Sequence, residues 1–143
     1  MISNSSKYAI KAVLYLAVHT NKNEKIMVKN IAVPINVPKA YIAKLLQKLS
    51  KQHIISSTRG PKGGFYLKKS NKEKSIMDII EVIDGEKKFN SCMLSLKKCD
   101  HNKPCPLHKS INPLRTKLIE NFKNKTIEEA SNDVILGKCF LPL

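Results

Sequence analysis

Tryptophan is absent from the sequence, and the other aromatics are few: four tyrosines and four phenylalanines in 143 residues. Proteins that hold single-stranded nucleic acid stack its bases on aromatic platforms, so this scarcity argues against an RNA-binding or ribosome-associated role. Long apolar runs are missing too. No stretch approaches the ~18 residues needed to cross a bilayer, and Lys11 interrupts the apolar part of the opening MISNSSKYAIKAVLYLAVHT. That opening also lacks the charged, apolar, then small order of a signal peptide. A cytoplasmic protein with no membrane partner is the expectation, and there thiols stay reduced. Nor is there a catalytic constellation. His19, His53, His101 and His108 stand at no recognisable spacing from a serine nucleophile or a carboxylate, so a non-enzyme is expected.

The most informative scarcity is of acid. Lysine and arginine number 26 against 11 aspartates and glutamates, a net charge of +15. Between Glu24 and Glu73 there is no carboxylate at all. That window carries Lys25, Lys29, Lys39, Lys44, Lys48, Lys51, Arg59, Lys62, Lys68, Lys69 and Lys72. A field of one sign confined to one part of a chain implies a polyanionic partner. The length suits one domain with a core of its own, needing no crosslinks.

Along the chain the hydrophobic period changes twice, from helical to alternating and back. Ala9, Ala12, Val13, Leu16 and Ala17 follow helical spacing and predict a helix over Ser3–Thr20. MVKNIAVPINVPKAYIAKLLQKLSKQ predicts a short helix near Val28–Ala32, a turn broken by Pro34 and Pro38, and a longer helix to Gln52. Ile54–Thr58 and Phe65–Lys68 read as two strands joined by a Gly/Pro turn over Arg59–Gly64. After a polar linker, Ser75 with Asp78 caps a helix that Gly85 stops. Farther on, Leu107, Ile111, Leu114, Leu118 and Phe122 make an apolar stripe, with Pro113 expected to delay or kink the helix. Thr126 and Glu129 open a last short helix.

Helix, turn, helix and a two-stranded ribbon are the order of a winged helix-turn-helix, a mainly α fold with a small β-wing. Its second motif helix enters the major groove of duplex DNA. Val28 at the start of the first motif helix and Pro38, Lys39, Ala40 and Tyr41 at the start of the second are candidate contacts, with Lys44, Lys48 and Lys51 as phosphate partners. In the turn RGPKGGF, Arg59, Pro61, Lys62 and Gly63 are placed to approach the minor groove.

The cysteines are the second signal. Cys92, Cys99, Cys105 and His108 fall in a polar, lysine-rich stretch expected to be a long loop. Zinc knuckles pair their ligands two to four residues apart, and here only Cys105 and His108 are so close. Iron–sulphur clusters tolerate wider loops, and histidine can replace cysteine on an iron. These residues therefore suit a 2Fe–2S cluster better than structural zinc. A 4Fe–4S cluster, zinc and a metal-free thiol sensor remain alternatives. Cys139, in the apolar tail CFLPL, is expected to be a buried bystander. A small iron–sulphur electron carrier would use the same cysteines but leaves the acid-free window and the wing unexplained.

Together these segments resemble one family, the bacterial winged-helix regulators that include IscR, NsrR and CymR. KYAIKAVLYLA is similar to its opening helix, VKNIAVPINVPKAYIAKLLQKL to its helix-turn-helix and RGPKGGF to its wing. IMDIIEVIDG resembles its fourth helix, and the CX6CX5CPLH run the cluster loop of its iron–sulphur members. The resemblance implies a homodimer, formed by the long C-terminal helix, that binds a palindromic operator. It implies that Cys92, Cys99 and Cys105 are cluster ligands and that His108 completes the site. It divides the chain into a DNA-binding domain at 1–85, a cluster-binding loop at 86–108, and a dimerisation helix with tail at 109–143.

Overall fold

The computed structural model describes residues 2–20, 24–94 and 100–143. The first helix, α1 (Asn4–His19), starts where the Ser3 hydroxyl accepts the Ser6 N–H at 3.0 Å. Its expected stripe is the buried one: Ala9, Ala12, Val13 and Leu16 are wholly enclosed. Three alanines in that helix (Ala9, Ala12 and Ala17) let other backbones approach closely, and α1 becomes the central strut of the fold.

Against it lie α2 (Val28–Ile35) and α3 (Lys39–Lys51). Pro34 does not break α2, contrary to expectation, because it falls in the last turn and removes a single backbone donor. The stop comes two residues later at Asn36, which is left-handed (φ 58°) and donates its N–H to the carbonyls of Ala32 and Val33. Ile42, Leu45, Leu46 and Leu49 of α3 fill the core. Fully burying each such side chain contributes on the order of 1.5–3 kcal/mol.

The ribbon is shorter than the sequence suggests. Strands β1 (Ser56–Thr58) and β2 (Gly64–Tyr66) are antiparallel, with Ser56 opposite Tyr66 and Thr58 opposite Gly64. Ile26, just ahead of α2, adds a rung on the other edge of β2, exchanging both backbone hydrogen bonds with Phe65 at 2.8 and 2.9 Å. That rung needs Gly64, since a Cβ there would sit 2.7 Å from the Ile26 carbonyl oxygen. At the tip Gly60 has φ 107°, a conformation side chains disfavour.

The expected polar linker holds a short helix, α4 (Lys69–Lys72), built around buried Asn71. Next, α5 (Ile76–Asp84) begins at the expected capping box: Ser75 Oγ accepts the Asp78 N–H, and the Asp78 carboxylate accepts the Ser75 N–H. Gly85 ends it, and α6 (Glu86–Phe89) follows inside the stretch expected to be all loop. What drives that turn is Phe89, which is buried edge-on against Phe122 with ring centroids 6.2 Å apart.

The long helix α7 (His108–Asn124) neither starts late nor breaks at Pro113. Its apolar stripe divides. Leu118, Ile119 and Phe122 pack against the core of their own chain, whereas Leu107 and Leu114 face outward, Leu114 being 67 % exposed. The last helix, α8 (Ile127–Ile135), folds back on α1, with Ile127 fully enclosed. Its start is tied to that of α5 by two hydrogen bonds, Ile76 N–H to the Lys125 carbonyl and Ile127 N–H to the Lys74 carbonyl. Cys139 corrects the expectation of burial: it is exposed, as is Phe140 beside it, because the chain beyond Gly137 leaves the core. No helix among the described residues is long and apolar enough to cross a membrane.

Candidate nucleic-acid interface and cysteine loop

Three strands of sequence meet in one groove. The N-terminus of α2 contributes Val28 and Lys29, the outer face of α3 contributes Lys39, Gln47, Ser50 and Lys51, and the ribbon contributes Ser57, Thr58, Arg59, Gly60 and Gly63. The groove encloses about 590 Å³ and has no carboxylate in its lining. Among the described residues every ion pair lies at Asp84 or beyond, so no cation from Lys25 to Lys72 is paired with a carboxylate. A concave, unneutralised basic surface favours bound polyanions over small counter-ions.

The other expected contacts distribute around this groove. Pro38 is the N-cap of α3 and lines a neighbouring hollow with Lys29 and Lys39. Ala40, Lys44, Pro61 and Lys62 are exposed. Tyr41 turns inward: its hydroxyl lies 2.8 Å from Ser5 Oγ and its ring meets Tyr8 edge-on at 6.0 Å. It braces α3 on α1. Lys48 is on the flank of α3 away from the wing, where its ammonium donates to the Ile83 carbonyl at 3.0 Å. Lys29, Gln47, Ser50, Ser57 and Thr58 were not anticipated as lining. For Gln47 the signal was present, because it falls off the apolar face of α3. For the ribbon residues it was not, since the groove exists only once Ile26 has pinned β2.

The exit of α5 links this head to the cysteines. Asp84 accepts hydrogen bonds from the Ser3 N–H at 3.0 Å and from the Ser3 hydroxyl. Burial pushes the Asp84 carboxyl up, but these bonds, with Ser6 and the Lys88 ammonium, outweigh it and hold the group below the usual range. The last turn of α5 is therefore fastened to α3 through Lys48 and to the cap of α1 through Asp84.

Beyond it, Cys92 is buried and its sulphur lies 3.7 Å from that of Cys105. The Cys105 carbonyl accepts the His108 N–H at 2.9 Å, so the Cys-Pro-Leu-His turn brings Cys105 to the first residue of α7. His108 is buried, and its Nε2 lies 3.1 Å from Nδ1 of His101, a neighbour the sequence did not reveal. Two thiolates held at ~2.3 Å by one tetrahedral metal stand about 3.8 Å apart. The Cys92–Cys105 spacing thus suits joint ligation of one ion, and a modest approach would equally allow a disulfide. Among the described residues no group of three or more His, Cys, Asp or Glu side chains forms a metal site. Cys99, the expected third thiolate, lies outside the described residues, as does Leu96.

Comparison with known proteins is consistent across sequence and structure. The model of the family Rrf2, iron-dependent transcriptional regulator, matches residues 2–133. A protein of Aquifex aeolicus named as an HTH-type transcriptional regulator is 33 % identical over 134 residues, covering 92 % of each chain. The global cysteine regulator CymR of B. subtilis superposes with a TM-score of 0.73 at 23 % identity, over 92 % of this chain and 96 % of that one. IscR of T. potens superposes with a TM-score of 0.72 at 23 % identity, over 97 % and 91 %.

Proposed function

The chain belongs to the Rrf2 family of transcriptional regulators, and on that premise we propose a sequence-specific DNA-binding homodimer whose affinity for a palindromic operator is controlled by an iron–sulphur cluster. The observation that carries the DNA half is the acid-free groove between α3 and the wing. In this reading α3 enters the major groove with Lys39, Ala40, Lys44, Gln47 and Lys51 outermost, and Arg59, Pro61, Lys62 and Gly63 lie along the adjacent minor groove. Tyr41 and Lys48 hold α3 in place. The two-fold symmetry of an operator requires two such heads, and the outward leucines of α7 supply an apolar surface for a second copy.

Cys92 and Cys105, 3.7 Å apart, support the cluster half. Cys92, Cys99, Cys105 and His108 would hold a 2Fe–2S cluster. When bound, the cluster supplies an iron- and redox-dependent crosslink between the two ends of the loop. Ligation by Cys92, three residues after Phe89, and by Cys105 and His108 would tie the end of α6 to the first turn of α7. Because α6 follows α5 with only Gly85 between them, a change at the loop pulls on the Ile83 carbonyl and the Asp84 carboxylate. Lys48 and Ser3 then pass that pull to α3 and α1.

Protein purified anaerobically from iron-replete cells tests the proposal. It should show visible absorption with matching iron and acid-labile sulphide, and Cys92→Ala, Cys99→Ala and Cys105→Ala should each bleach it, while Cys139→Ala does not. Operator affinity should differ between the loaded and the iron-free protein. Colourless protein with one zinc per chain would replace the cluster by zinc. A second reading, a metal-free thiol switch, is favoured by the same sulphur separation. Colourless, metal-free protein in which oxidation joins Cys92 to Cys105 and alters operator affinity would establish it instead.

A further inference from the structure

We infer that Gln47 is a specificity-determining residue whose side-chain amide reads one adenine in each half of the operator; this rests on the DNA-binding reading above. Gln47 is exposed on α3 and lines the groove between that helix and the wing. The other polar side chains of the lining are lysines, the Arg59 guanidinium and the hydroxyls of Ser50, Ser57 and Thr58. Lysine and arginine only donate, so they serve phosphates and the acceptor edge of guanine. The hydroxyls of Ser50 and Ser57 are committed to each other at 2.8 Å. Among the described residues, Gln47 is thus the one side chain of the lining with a donor and an acceptor on separate atoms. Among single bases, only adenine presents the complement in the major groove, with N7 accepting beside the N6 amino group that donates.

The helix that carries the amide is fixed. Ser50, one turn beyond Gln47, ties α3 to β1 through its hydroxyl contact with Ser57. Tyr41 ties it to α1, and Lys48 to the end of α5. A side chain on a helix held at three points meets a base edge in one register, which a two-bond contact needs in order to discriminate. The neighbours on the same side of α3 agree. One and two turns toward its start stand Ala43 and Ala40, whose methyl groups let the backbone come close to the base edges. The longer Gln47 then reaches them, while exposed Lys44 and Lys51 flank it with charges suited to phosphate.

Selection from a random duplex library tests this, using the full chain and its Gln47→Ala and Gln47→Glu variants. The parent should select a two-fold symmetric motif with an adenine in each half, and Gln47→Ala should lose base preference at that position alone. Replacing one such adenine by another base should weaken the parent by roughly 5–140-fold and leave Gln47→Ala unaffected. Gln47→Glu, whose carboxylate only accepts, should prefer cytosine there, because the cytosine N4 amino group donates. Placing 7-deazaadenine at the position removes N7 and should weaken the parent but not Gln47→Ala. The salt dependence of Gln47→Ala should match the parent's, since no phosphate contact is lost. The inference is overturned if Gln47→Ala selects the parental motif unchanged, weakens binding to every duplex alike, or loses preference at a base other than adenine. A parent that selects no motif would instead remove the DNA-binding reading, and the inference with it.

Discussion

Asn71→Ala probes the joint on which the proposed reading head depends. Asn71 is 4 % exposed. Its Oδ1 accepts from Ser56 Oγ at 2.9 Å and from the Lys68 N–H at 2.8 Å, while its amide donates to the His53 carbonyl at 2.9 Å. One side chain thus joins the left-handed exit of α3 (His53, φ 57°), the base of β1 and the cap of α4. Each such bond contributes about 0.5–1.5 kcal/mol net, so the truncation should cost roughly 2–4 kcal/mol, a large part of the ~5–15 kcal/mol typical of a domain. At about 3 °C per kcal/mol for a chain of this size, the midpoint should fall by roughly 6–12 °C. Ser56→Ala, which removes one of the three bonds, should cost about 1 kcal/mol. Asn71→Asp keeps the shape but sets an oxygen against the His53 carbonyl, and should cost at least as much as alanine. Urea denaturation followed by circular dichroism, on metal-free protein in reductant, measures all three. If Asn71→Ala stays within about 0.5 kcal/mol of the parent, or Asn71→Asp is as stable as the parent, the joint is not held this way.

Three further outcomes are expected. Arg59→Ala should weaken operator binding by about 1–3 kcal/mol and relax specificity, whereas Lys44→Ala should weaken all duplexes alike and flatten the salt dependence; titrations of operator and random duplex at two salt concentrations separate them. Leu114→Glu, on the outward side of α7, should convert the proposed dimer to monomer without unfolding the chain, as read by sedimentation and circular dichroism together; an intact dimer would move the interface elsewhere. Asp84, held below the usual carboxylate range in the folded state, stabilises the protein fully above about pH 4 and ceases to do so as pH falls through its lowered value. Asp84→Asn should therefore be less stable than the parent at neutral pH and converge with it in acid, and parallel denaturation curves across that range would refute the Ser3 clasp.

The features legible in the sequence are those set by neighbours a few residues apart. The burial stripe of α1, the capping boxes at Ser75 and Thr126 and the stop at Gly85 are relations of three or four residues, and the structure holds each of them. Charge segregation was legible as well, because the missing carboxylates leave the cations between Lys25 and Lys72 without acidic partners nearby in the chain. Asn71 illustrates what was not. A polar residue in a polar stretch reads as linker until Ser56, Lys68 and His53 surround it. Nor does the apolar stripe of α7 say which leucines face inward; that follows from the places where α5 and Phe89 stand. The groove lining, the Lys48 and Ser3 ties to the end of α5, and the pairings of Cys92 with Cys105 and His101 with His108 join residues from 7 to 81 positions apart. Local propensity fixed the pieces and the charge they carry. Only the burial of α1 from several sides at once, which lowers the free energy of one mutual arrangement, decided which side chains meet.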